Sequence, residues 1–204
     1  MFTLALIALT AAFPGDGEAV LSPDQVSEVD AINCRIDVST YLPFAMAVAE
    51  GEIAEQRGWR RIEGANPYLS EFELPAPITV AGTHSTRRIA FSGHGILAVL
   101  NVEDPATVAS GEQVENELNA DLLVDALAGA GAVTRAQAEA EIKFRKFLGE
   151  RIVHEVTEQA EEGEEFGVHK IVARSISNVV THPGKTLYGC SYRFKFLNTD
   201  GEPL

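Results

Sequence analysis

Five histidines, His84, His94, His154, His169 and His182, are the side chains of this chain best suited to move a proton or hold a metal near neutral pH. None stands in an H-x-H or H-E-x-x-H spacing, so a metal centre would have to be assembled from separate loops. His84, His94 and His182 each fall in a predicted turn. His154 falls on the apolar side of an alternating run, where it reads as a core residue. Pro183-Gly184-Lys185-Thr186 has the end of a phosphate-loop motif but not its beginning: Val179 stands where the first glycine is required, and a strand pattern follows in place of a helix. It reads as a turn. Glu158, Glu161, Glu162, Glu164 and Glu165 lack the alternating Asp or Asn ligands and the central glycine of a calcium loop, and read as a solvated hairpin loop.

Two basic clusters stand out in a chain of net charge −14. Arg57, Arg60 and Arg61 bracket Trp59, and Arg87-Arg88 form a second group. Guanidinium groups recognise carboxylates and other oxyanions through paired hydrogen bonds. Cross-strand pairing with Glu63, Glu71 and Glu73 is the simpler use of them. Arg87, Arg88 and His94 are the candidate binding residues, placed by sequence near one edge of the fold. No G-x-S-x-G elbow is present and no carboxylate pair is singled out, so no catalytic residue is assigned. Nothing in the sequence asks for a cofactor or a metal.

Both cysteines have a place. Ile32, Cys34, Ile36 and Val38 alternate with polar residues, and Tyr188, Cys190, Tyr192, Phe194 and Phe196 with small or charged ones. Each Cys is therefore expected on the apolar face of an extended segment, and the two are expected to form a Cys34–Cys190 disulfide. The aromatic run 188–196 reads as core, with a hydrophobic ligand pocket as the other use of such a stripe. A disulfide belongs to an oxidising compartment. The start agrees: Phe2–Phe13 is an apolar run too short to cross a bilayer and followed by small residues, as in a secretory signal peptide over 1–19. It lacks a basic start. A periplasmic or secreted location is expected.

The elements that must position these residues follow from periodicity. Residues 20–30 read as an acidic leader and 31–198 as one domain, with 199–204 a disordered tail. A helix is expected from a Ser39 or Thr40 cap to about Arg57, with Leu42, Ala45, Met46, Ala49 and Ile53 on one stripe. Trp59–Ile62, Glu71–Leu74, Ile78–Gly82, Arg87–Ser92 and Ile96–Asn101 read as a meander. Pro75-Ala76-Pro77 interrupts it, and Gly93-His94-Gly95 makes a hairpin turn. Leu118, Leu122, Ala126 and Leu127 recur at helical spacing, and a Thr134–Gln137 capping box starts a helix to about Phe144. Three strand patterns follow, near 152–156, 166–180 and 187–197. The class is α+β: antiparallel meanders with helices packed on one face, in two α-β-β-β halves sharing one core.

Composition narrows function by exclusion. At 46% hydrophobic and 23% charged the chain has the makings of an ordinary globular core. Its negative charge argues against nucleic acid, and no stretch is long enough to span a membrane in the mature chain. Two readings remain. One is a non-catalytic exported domain binding a protein or a small apolar ligand, with its turn histidines far apart and exposed. The other is a small hydrolase or metal-dependent enzyme, in which at least two of His84, His94 and His182 converge with a carboxylate.

Overall fold

The computed structural model describes residues 21–118, 120–130, 133–141, 146–160 and 163–204. The signal-like segment 1–19, Phe144, Glu161 and Glu162 lie outside the described residues, as does the side chain of Leu122.

The protein is α+β, built on a seven-stranded antiparallel sheet. A 3-10 turn, Pro23–Gln25, leads into α1 (Glu28–Ile32), α2 (Val38–Ala49) and α3 (Glu52–Gln56). The strands β1 (Arg60–Ile62), β2 (Ser70–Val80), β3 (His84–Ser92) and β4 (Gly95–Leu100) follow. Then come α4 (Ala106–Glu112), α5 (Ala120–Gly129) and α6 (Arg135–Glu141), and last β5 (Leu148–Glu158), β6 (Gly167–Ser177) and β7 (Thr186–Leu197). The sheet order β1-β2-β3-β4-β7-β6-β5 joins two meanders through their final strands. Each half therefore runs helices first and then strands.

One core explains the sheet's alternation. Phe72, Leu74, Ile89, Phe91, Ile96, Ala98, Tyr188, Cys190 and Tyr192 share a single apolar cluster with Ile32, Val38, Tyr41, Phe44 and Val48 of the leading helices and Val108 and Ala109 of α4. The other face carries a smaller cluster, Ala90, Leu97, Val99 and Leu187, partly covered by Leu69 and Val179 from loops.

Several expectations change at the N-terminal end. Residues 21–32, read as leader and strand, make the 3-10 turn and α1, with Ser27 accepting a hydrogen bond from Asp30 N, and Val26 fully buried. Cys34 follows in a left-handed turn (φ 57°), not in a strand. It still meets Cys190 as expected: the disulfide joins them at a Cα separation of 5.3 Å, across 156 residues of sequence. Buried Arg174 fastens the same turn. Its guanidinium donates to Ile32 O (2.7 Å), Gly189 O (3.0 Å) and Asn33 O (2.9 Å), pairs with Glu112 (3.1 Å) and lies over the Tyr188 ring.

The long first helix is two helices. Asp37, not Ser39 or Thr40, caps α2, accepting from Thr40 N at 2.6 Å. Gly51 (φ 92°) breaks the run before α3. The buried side of α2 is Tyr41, Phe44, Ala47 and Val48. Of the expected stripe Leu42, Ala45, Met46, Ala49 and Ile53, Ile53 is core and Leu42 and Ala45 pack partly against it, but the first four also line a groove, and Met46 is 62% exposed. In β2 the strand continues through Pro75-Ala76-Pro77 as a bulge between Glu73 and Ile78. Pairing with β1 ends at Glu73, so these prolines cost no ladder donor on that side. The tail is tied down: Leu197 bridges Pro203, and Leu204 N donates to Phe196 O at 3.0 Å.

Candidate functional site

The turn residues do not gather. Gly93-His94 closes the β3–β4 hairpin, whereas His84 opens β3 at its other end. His94 is exposed and His84 half-buried. His182 comes from the β6–β7 loop, which crosses the second face of the sheet, and is almost fully buried. Its Nε2 lies 3.1 Å from Glu71 Oε1, and Thr181 Oγ1 lies 3.1 Å from its Nδ1. One of the three turn histidines thus meets a carboxylate, and it is not exposed as the binding reading expects. His169 pairs separately with Glu155 at 2.8 Å. Among the described residues no His, Cys, Asp and Glu cluster has metal-binding geometry.

Glu71 is the centre of a buried polar cluster that sequence reasoning saw only in part. The alternation of β2 and β3 puts Glu71, Glu73 and Arg88 on the second face, since Glu73 stands opposite Arg88. Arg88 Nε donates to Glu71 Oε2 at 2.6 Å, and its Nη2 pairs with the same oxygen. Arg60 pairs with Glu73 across β1 and β2. The carboxylate of Glu71 has no solvent exposure. Gly64 of the β1–β2 loop lies so close to Glu71 Oε1 that a Cβ would overlap it. The cluster therefore pins two loops, 63–69 and 178–185, over the sheet. The missing signal was His182, brought by a loop with no periodicity.

Arg87 and Arg88 do share a groove, of about 510 Å³, lined also by Thr86, Val99, Asn101 and Lys185. His94 belongs to a different one. That second groove, about 620 Å³, runs between α2 and β7: Leu42, Ala45, Met46 and Ala49 form one wall, Ser92, Gly93 and His94 an end, and Tyr192 and Phe194 the other wall. Tyr41 and Tyr192 stack beneath it, ring centroids 4.0 Å apart. Burial pushes both phenols well above their usual range, so both stay neutral. Tyr192 donates to Ala31 O at 2.6 Å. Of the aromatic run, Tyr188 and Tyr192 are core, while Phe194 and Phe196 are exposed beside Phe166.

The strand wall has unused backbone. β4 stops at Gly95, opposite Ser191, while β7 continues to Leu197. Tyr192 N donates to His94 O at 2.7 Å, and Phe196 O accepts from Leu204 N. By the alternation of an antiparallel ladder Phe194 turns its N–H and C=O to the same side as these two. It meets no ladder partner there among the described residues. The chain matches no family model, no curated protein and no solved structure.

Proposed function

We propose that this chain is an exported, non-catalytic domain that binds a partner protein by taking an extended apolar segment into the groove between α2 and β7. The carrying observation is the juxtaposition of a free strand edge at Phe194 with an apolar helix wall whose Met46 stands 62% exposed. An incoming strand would hydrogen-bond to the Phe194 backbone and lay alternate side chains against Leu42, Ala45 and Met46, the mode by which sheets accept added strands. Methionine suits such a surface because its side chain adapts to varied partners. The bonded cysteines and the signal-like start support a periplasmic or secreted setting. Within the described residues no helix is long and apolar enough to cross a membrane.

The test is a displayed library of random peptides panned on residues 21–204. Recovered peptides should carry apolar residues at alternate positions. Met46→Asp should weaken the best of them about 30-fold, the effect of losing a central interface anchor. Circular dichroism should not change, since this side chain is outside the core. Failure to enrich any peptide, or binding that Met46→Asp leaves intact, overturns the reading.

A further inference from the structure

The other groove, on the opposite face of the sheet, has a different chemistry. Arg87, Arg88 and Lys185 all line it. Arg88 is neutralised by Glu71, which holds it through Nε and Nη2; its Nη1 makes no hydrogen bond among the described residues. Among the described residues Arg87 hydrogen-bonds only backbone carbonyls, Leu74 O at 3.1 Å and Pro75 O at 2.6 Å. Lys185 donates to the neutral Asn101 amide oxygen. The one carboxylate in the lining, Glu73, is paired with Arg60. Among the described residues two cationic charges are therefore left without a counter-charge in one groove, in a chain whose net charge is −14.

We propose that this groove binds a dianionic oxyanion, the phosphate group of a small phosphorylated molecule. Two uncompensated cations match two negative charges, and fixed guanidinium donors favour tetrahedral oxyanions over a chloride ion. Glu71 orients Arg88 from a position no solvent reaches, so that donor is set in place before any ligand arrives. The groove is independent of the one between α2 and β7, so either assignment can fail alone.

The probe is inorganic phosphate, titrated at constant ionic strength into ¹⁵N-labelled protein, with acetate and chloride as parallel titrants. Saturable shifts of the Arg87 and Arg88 Nε–H signals with phosphate, much weaker with acetate, are expected. Lys185→Gln removes a single hydrogen bond to a side-chain amide and should weaken phosphate about tenfold. Arg87→Gln should do likewise. Arg61→Gln with Lys195→Gln, a larger loss of charge outside this groove, should leave the affinity unchanged. Equal response to phosphate and acetate, no saturation at millimolar phosphate, wild-type affinity in Lys185→Gln, or equal weakening by the control pair would each overturn the proposal.

Discussion

Replacing Cys34 and Cys190 together by Ala is expected to lower the free energy of unfolding by about 5 kcal/mol. The cross-link closes a loop 156 residues apart in sequence. In the chain-entropy view, joining ends so distant removes most of the freedom the unfolded chain would have on this count. That figure is comparable to the whole stability of many domains. The bond also has a local role. Cys34 stands at φ 57°, in a turn that L side chains adopt only under constraint, and the turn hangs α1 on the centre of the sheet. Arg174 shares that duty through its bonds to Ile32 and Asn33, so the Ala pair should retain the native circular dichroism below its melting point. Urea unfolding of oxidised, reduced and Ala-substituted protein measures the effect. The reduced and substituted forms should agree. A loss below about 1 kcal/mol would mean the turn holds α1 without help.

Much of the architecture is written in the sequence where the local rule and the tertiary environment agree. The hairpin at Gly93-His94, the capping box at Thr134–Gln137 and the alternation of 187–197 each need only neighbours in sequence to be read, and each stands in the structure. The disulfide was legible for a different reason: two apolar-side cysteines in one chain have only each other. What was not legible turned on competition between two valid periodicities. Ile32, Cys34, Ile36 and Val38 alternate as a strand would, yet Ser27 caps a helix over the same start, and Ile32 is buried as its last residue. On α2 nearly every position is apolar, so the sequence shows two stripes. Only the sheet decides that Tyr41, Phe44 and Val48 go inward and that Leu42, Ala45 and Met46 line the groove. The candidate residues split for a similar reason. Arg88 and Glu71 share a face by strand alternation, but a turn residue such as His94 or His182 goes wherever its loop is drawn by tertiary packing, here to opposite sides of the sheet.

Arg88→Met is expected to destabilise the protein by about 3–5 kcal/mol, because it strands a carboxylate that water cannot reach. Glu71 has no exposed side-chain surface; Arg88, at 36%, has. The two directions of disruption are therefore unequal. Losing the glutamate leaves an arginine that can turn towards solvent, whereas losing the arginine leaves an anion walled in by Gly64 and His182. Adding Glu71→Gln to Arg88→Met should recover about 2 kcal/mol, since an amide can be buried at far lower cost than a charge. A double-mutant cycle by urea denaturation reads both terms. A second consequence follows from where the cluster sits. Residues 63–69 and 178–185 meet over it, so Arg88→Met should raise amide exchange in both loops before it does so in β3 or β4, whose backbone pairing is untouched. Exchange rising in one loop alone would separate the two loops energetically, and an Arg88→Met protein as stable as wild type would show that Glu71 is satisfied without its cation.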